Sequence, residues 1–143
     1  MSPKVYRELI KPYHKKFADA VIERGVIFAM HCCGYAEEIV EDFIDIGAKM
    51  WTSAQTMNDL PGIQKRFKGR LVIEGGWDAQ GKPGFIEATE DEVRAEVRRC
   101  IAEYGKNGGF IVLPGLVNEK GNSAFVGDDR FPAVIDEWMK NRS

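Results

Sequence analysis

The feature that most constrains this chain is a fourfold alternation of short apolar runs with longer amphipathic stretches. The apolar runs are rich in β-branched and aromatic residues and occupy residues 26–30, 48–53, 70–76 and 109–115. Runs of this length and composition predict buried strands. Each is followed by a stretch of helical periodicity, so the chain is predicted to be an α/β protein with four parallel strands joined by right-handed helical crossovers.

A first helix precedes the first strand. Ser2 and Pro3 predict its start, since serine is a frequent N-cap and proline is favoured at the first helical position. Pro12 lies inside the pattern and predicts a kink. Apolar residues recur at helical spacing as far as Gly25, at Val5, Leu9, Tyr13, Phe17, Val21 and Ile22.

The other helices are predicted from periodicity and end signals. One has an apolar face from Ile39 to Ile46, a short one covers about 58–67, and the last is "PAVIDEWMKN". The fourth starts at a T-x-x-E capping box formed by Thr89 and Glu92 and runs to Gly105.

Two architectures have this alternation: an open doubly wound sheet and part of a β/α barrel. No G-x-G-x-x-G motif follows any of the predicted strands, which disfavours the dinucleotide-binding form of the open sheet. A whole barrel takes about 250 residues, and the chain has 143. Four units correspond to half of a (β/α)8 barrel. No low-complexity tract or linker divides residues 1–143, so we expect a single domain.

Bulk properties narrow the classes of function. The net charge is −2 with scattered Lys and Arg, so we expect no nucleic-acid partner. No apolar run approaches the roughly 18 residues that span a bilayer, and the amino-terminal stretch lacks the apolar centre of a secretory signal. Three cysteines, two of them adjacent, do not suit a disulfide framework, so we expect a cytoplasmic location.

Polar residues follow the predicted strands, where ligands bind in either architecture. Side chains alternate along a strand, so His31 and Cys33 should point to one side and Cys32 to the other. An H-x-C pair can place an imidazole nitrogen and a thiolate on one zinc ion, although catalytic zinc normally has three protein ligands. The alternative is that the cysteines are small buried filler beside a core histidine.

The other strand ends supply further candidates. Glu74 and Asp78 flank a Gly-Gly turn and are candidate catalytic carboxylates, or solvated loop charges. Gln55, Trp77 and Asn118 are candidate substrate contacts; Trp77 fits a pocket wall or a lid, and asparagines such as Asn118 are also common turn formers.

Four segments, taken in order, resemble the uroporphyrinogen decarboxylase superfamily, in its branch of cobalamin (corrinoid) methyltransferases. They are "MSPKVYRELIKPYHKKFADAVIERG", "HCCG", "GGWD", and "TEDEVRAEVRRCI" followed by "GGFIVLPG". The resemblance implies a TIM barrel of which this chain is the carboxyl-terminal half, β5 to β8. It implies methyl transfer from a methylated substrate to a corrinoid protein, with His31 and Cys33 as zinc ligands.

The chain departs from that branch at one ligand. The family's third zinc ligand is a cysteine after the last strand, where this chain has Leu116. This difference suggests a branch acting on methoxylated aromatic compounds, or a site completed by Glu74 or Asp78.

A half barrel also needs a partner. We expect either a homodimer or pairing with an amino-terminal half-barrel, besides a corrinoid protein that carries the cobalt cofactor. Two rival interpretations remain: a porphyrinogen decarboxylase-like enzyme, disfavoured because that family's arginine-bearing amino-terminal segment is absent, and a non-catalytic remnant that functions only in association.

Overall fold

The sheet has four parallel strands in the order in which they occur along the chain. The computed structural model describes residues 2–116 and 128–141. Its strands are β1 (Ala29–His31), β2 (Met50–Ala54), β3 (Val72–Gly75) and β4 (Phe110–Val112), and each pairs with the next. Sequential parallel strands joined by helices are the arrangement of half of a (β/α)8 barrel, as predicted.

Helices occupy every connection between the strands. A continuous first helical segment comprises α1 (Pro3–Val5), a π-helix (Tyr6–Ile10) and α2 (Lys11–Ile22). The others are α3 (Val40–Asp45), preceded by a 3₁₀ turn at Glu37–Ile39, and α4 (Leu60–Arg66), α5 (Glu90–Tyr104) and α6 (Phe131–Asn141). Short 3₁₀ turns also lie at Lys82–Gly84 and Gly105–Asn107. The Thr89 capping box is confirmed, with both of its reciprocal hydrogen bonds formed.

Pro12 does not break the first helical segment. The π-helix ends immediately before α2, with the Lys11 amide donating to the Tyr6 carbonyl. Pro12 therefore lies in the first turn of α2, where its missing N–H and fixed φ are tolerated. The irregularity near Pro12 takes the form of a π-helical stretch, Tyr6–Ile10, that precedes it.

The apolar stripe predicted for this segment lies on its exposed side. Tyr6 and Ala18 are buried, whereas Val5, Leu9, Tyr13 and Phe17 are 41–69% exposed. The periodicity correctly predicted a helix with an apolar face. Phe17 contacts Phe28 with ring centroids 6.0 Å apart, and Val21 packs against the core, but most of that face is open to solvent.

The first strand starts later than predicted. Val26 and Ile27 precede β1 and are 56% and 74% exposed, so the expectation that 26–30 forms a buried strand is wrong for its first half. The other three strands are also shorter than predicted, because pairing is limited to the stretch that each shares with its neighbour.

The two faces of the sheet differ in their environment. Met30, Trp51 and Ile73 occupy one register row and belong to the core between sheet and helices. The next row aligns His31, Thr52, Glu74 and Ile111, and alternation directs these side chains to the opposite face. In a barrel that face is the interior.

A buried carboxylate links the first helical segment to α3. Asp42 is 4% exposed and accepts hydrogen bonds from Arg7 at 2.9 Å and Lys11 at 2.7 Å. Two cations compensate for the desolvation of one carboxylate, so the contact fixes the position of the segment beside β1.

In the part of the chain that the structure describes, no helix combines the length and the apolar character that crossing a membrane requires.

Candidate functional site at the carboxyl ends of the strands

His31 and Cys33 meet at the end of β1. The Cys33 Sγ lies 3.3 Å from His31 Nε2, and the other ring nitrogen, Nδ1, lies 2.8 Å from Thr52 Oγ1 on β2. Both residues are exposed. Cys32 instead packs against the core, so the alternation predicted for this stretch is confirmed.

A β-bulge brings a hydroxyl to the same point. The β2–β3 register shifts between Thr52 and Ala54, and the residue between them, Ser53, has φ +62°. A left-handed conformation at a non-glycine residue is strained and persists only where its surroundings enforce it. Here it aims Ser53 Oγ at Cys33 Sγ, 3.2 Å away.

The turns after β1 and β2 are held together by one buried asparagine. Asn58 Oδ1 accepts from the amides of Ala36 and Glu37, at 2.8 and 3.1 Å. Its Nδ2 donates to the carbonyls of Gly34 and Gln55, at 3.0 and 2.9 Å. The backbone that carries Cys33 is thereby tied to the backbone that follows Ser53. Sequence reasoning missed Asn58, because a polar residue in a predicted turn looks solvated.

Gln55 takes part in the same link. Its Oε1 accepts a 3.0 Å hydrogen bond from the Gly34 amide, and the residue also lines the pocket described below. The Gln55 Oε1 atom therefore stabilises the turn, and its amide nitrogen remains for a ligand.

The loop after β3 is clamped by α5. The Glu96 carboxylate, on a residue 6% exposed, accepts from the Asp78 amide at 2.8 Å, and Arg99 donates to the Gly76 carbonyl at 2.6 Å. Arg99 also pairs with Glu96 at 2.5 Å, and the hydrogen bond to Glu96 raises the pKa of the guanidinium. The i, i+3 spacing of Glu96 and Arg99 indicates a helical ion pair in the sequence. It does not indicate that the pair also binds the loop after β3.

Gly75, at the end of β3, allows the close approach of the bulge. A Cβ on Gly75 would lie 2.2 Å from the Ala54 carbonyl oxygen. No side chain fits there, so the glycine is required for the two strand ends to meet.

A pocket of about 250 Å³ opens beside these groups. It is lined by His31, Ser53, Ala54, Gln55, Gly75, Trp77, Ala79, Leu113, Pro114 and Gly115. Trp77 is 3% exposed and forms a wall of the pocket. Of the two predicted roles, a pocket wall or a lid, the structure shows the wall. The indole Nε1 of Trp77 is buried without a hydrogen-bond partner among the described residues.

The His31–Cys33 pair fits one edge of a tetrahedral zinc site. Zinc bonds of about 2.3 Å to sulfur and 2.1 Å to nitrogen place two such ligand atoms roughly 3.5 Å apart, close to the 3.3 Å observed. However, residues 2–116 and 128–141 contain no group of three His, Cys, Asp or Glu side chains suited to a metal ion. The structure supplies two ligands of the expected set and not the third.

The other predicted site residues lie apart from this pair. Glu74 is half-buried in the same register row as His31 but two strands away, which corresponds to about 9.5 Å between backbones. Asp78 Oδ1 accepts from the Gly81 amide at 2.9 Å and so stabilises its own loop. Leu116 lies in an apolar cluster with Trp77. Asn118 lies outside the described residues.

Burial separates the three thiols. Cys100 is fully buried, and burial raises its pKa to about 12, with a smaller contribution from the charge of Glu96. Burial also raises the pKa of the half-buried Cys32, assisted by the neighbouring Cys33. Cys100 is therefore a packing residue, as predicted.

The four sequential parallel strands define a half-barrel of the β/α class. Its polar site lies at the carboxyl ends of the strands, which we call the mouth. The model of the uroporphyrinogen decarboxylase (URO-D) family matches residues 1–116. The chain belongs to this family, and the predicted resemblance is confirmed. A comparison with curated proteins gave no match.

Solved structures share the fold. One is a methyltransferase from Methanosarcina mazei, with a TM-score of 0.70 and 17% sequence identity. The match covers all of this chain and 39% of that chain. At this identity the likeness concerns the fold, and the chain spans well under half of its neighbour's length.

Replacing Asn58 with alanine should destabilise the protein by about 2–3 kcal/mol, because two backbone amides and two carbonyls lose their buried partner. Urea unfolding would measure the loss. Met57→Ala, at the adjacent exposed position, is the control and should change stability little. An equal loss in both variants would contradict the assigned role of Asn58.

The three cysteines should differ in their rate of alkylation. With chelator present, iodoacetamide at mildly alkaline pH should modify exposed Cys33 first and Cys32 more slowly. Cys100 should react only after unfolding, because a raised pKa keeps a thiol protonated and unreactive. Mass spectrometry of peptides gives the order; modification of Cys100 in the folded protein would disprove its burial.

Proposed function

We propose that this chain carries the substrate-activating half of a methyltransferase that delivers methyl groups to a corrinoid protein. The observation that carries the proposal is the convergence of His31 and Cys33 beside a small pocket at the carboxyl end of the half-barrel. The methyltransferase name of the structural neighbour supports it at the level of fold.

His31 and Cys33 would hold zinc, whose chemistry is to act as a Lewis acid toward the heteroatom that carries the methyl group. The Thr52 hydroxyl orients the imidazole so that Nε2 faces Cys33. Ser53 reaches the same sulfur. Both hydroxyls lie on β2, and they fix the directions of the His31 nitrogen and the Cys33 sulfur.

The reaction has a simple balance. The methyl group would pass from the substrate heteroatom to the corrinoid of the partner protein, the heteroatom would keep the bonding electron pair, and it would then take a proton. Of the two predicted carboxyl groups, Glu74 is better placed to supply that proton, since no described group binds its carboxylate and it faces the barrel interior. Asp78 serves its loop.

The small pocket suits a compact methylated substrate, such as a methoxylated aromatic compound. Its floor and walls are apolar around Trp77, Leu113 and Pro114. The buried Trp77 N–H lacks a protein acceptor, so a substrate oxygen would satisfy it.

A decarboxylase of porphyrinogens is the second candidate, favoured by the description of the family. Its substrate bears several carboxylates, which need cationic partners. The ten residues that line the described pocket include no lysine or arginine. This composition supports the methyltransferase proposal over decarboxylation.

The mouth of the site is open because the barrel is half present. The open side includes the apolar stripe of Val5, Leu9, Tyr13 and Phe17, which are 41–69% exposed.

The number of helices favours one of the two predicted partners. The described residues provide four strands and five helical segments, with the first segment flanking β1 and α6 flanking β4. A second copy would therefore place ten helices around eight strands. An amino-terminal half with four strands and three helices would complete eight of each, so we propose this partner rather than a homodimer.

Zinc binding tests the assigned ligands. The isolated chain should bind zinc weakly, and His31→Ala and Cys33→Ala should each abolish the binding, as measured by elemental analysis and by the thiolate charge-transfer band of a Co²⁺-substituted sample. Cys32→Ala is the matched control and should retain the metal. Zinc that survives loss of Cys33 would exclude the site.

Barrel completion is tested with an amino-terminal half taken from a family member. Co-expression should yield a one-to-one complex, because the apolar stripe then becomes buried. Leu9→Glu should weaken the complex, whereas Met57→Glu, on an exposed internal loop, should not. A compact homodimer of the chain alone, measured by light scattering, would contradict the helix count.

A further inference from the structure

A second and larger pocket lies at the opposite end of the sheet. Its volume is about 640 Å³, and it shares no lining residue with the pocket at the mouth. It is built from residues at or just before the amino ends of β2, β3 and β4, from α4 and the loop after it, and from the carboxyl end of α5.

The pocket is strongly cationic. Four of its lining residues are Lys49, Lys65, Lys68 and Arg70, and none of them pairs with a carboxylate within residues 2–116 and 128–141. Arg70 stacks its guanidinium over the Phe67 ring, 5.7 Å from the centroid, which leaves its charge uncompensated.

The opposing charges do not neutralise this cluster. Glu103 is the single carboxylate in the lining, and it pairs with Arg99 at 2.6 Å. The carboxyl ends of α4 and α5 contribute about half a negative charge each. Four cations less one carboxylate and about one dipole charge leave roughly two positive charges.

We propose that this pocket binds a small organic ligand that carries a diphosphate or similarly charged phosphate chain. A ligand with two or more negative charges matches the uncompensated cations. The volume lies in the range of small-molecule sites, about 300–1,000 Å³, and exceeds what a lone phosphate needs. Pro61, Leu71 and Val72 supply an apolar surface for the organic part.

Glycines keep the entrance clear. A Cβ on Gly69 or Gly108 would meet nothing within 4 Å, and on Gly109 only the Leu71 carbonyl oxygen at 3.7 Å. All three have positive φ values of 69–74°. The backbone therefore turns at the rim without placing side chains between the cations and a ligand.

The site is independent of the methyl-transfer proposal, since it lies at the other end of the sheet. It is also independent of barrel completion, because β2, β3 and β4 with α4 and α5 supply all of its walls.

Isothermal titration calorimetry of the whole chain with ADP and with inorganic pyrophosphate tests the proposal. Both should bind with one-to-one stoichiometry, more weakly as salt is raised. Exchanging Lys65 and Lys68 together for glutamine should weaken binding roughly tenfold. The control exchanges Lys4 and Lys16, on the exposed first helical segment, and should leave the affinity unchanged.

Three results would overturn the proposal: no binding of either compound, equal weakening by the control exchange, or equally tight binding of adenosine, which lacks phosphate. Circular dichroism of both double variants confirms that each is folded, which exposed lysines allow. ADP binding tighter than pyrophosphate would support the apolar part of the pocket, and equal binding would support the phosphate contacts alone.

Discussion

The parallel register of β1 with β2 is the contact on which the site depends. It places His31 beside Thr52, so a hydroxyl on one strand orients the imidazole on the next. A shift of one residue would turn His31 toward the helices and bring Met30 to the mouth, because side chains alternate along a strand. The row that contains Met30 prevents that shift, since its other members, Trp51 and Ile73, are almost fully buried in the core. Apolar packing on one face therefore fixes polar chemistry on the other.

The strand ends are held by buried polar groups rather than by apolar contacts. Asn58 joins the first two turns, and Glu96 with Arg99 holds the third loop. A loop backbone has no ladder of its own, so each of its amides and carbonyls needs another partner. Side chains on neighbouring units supply these partners, which makes the geometry of the mouth a property of three consecutive βα units.

Local signals explain what the sequence could predict. The alternation of apolar runs and amphipathic stretches predicted the order of elements, and Thr89 with Glu92 predicted the start of α5. The convergence of His31 and Cys33 followed from the period of a strand. Contacts across the fold left no such signal: the left-handed Ser53 depends on a bulge against β3, and the role of Asn58 depends on four backbone groups, the nearest three residues away and the farthest twenty-four. The exposed stripe of the first helical segment was periodic, but periodicity does not say which neighbour covers it.

Exposed apolar residues cluster at the β1 edge of the sheet, where the predictions of burial failed. Val26 and Ile27 were expected in a buried strand and are exposed, and both precede β1. Trp51 and Ile73, in strands that are paired on both sides, are almost fully buried. In the part of the chain that the structure describes, β1 pairs with β2 alone, so the apolar residues before it lack the cover that a strand on its other side would give. The proposed partner half would supply that cover, because the unpaired backbone groups of an edge strand can pair with a further strand.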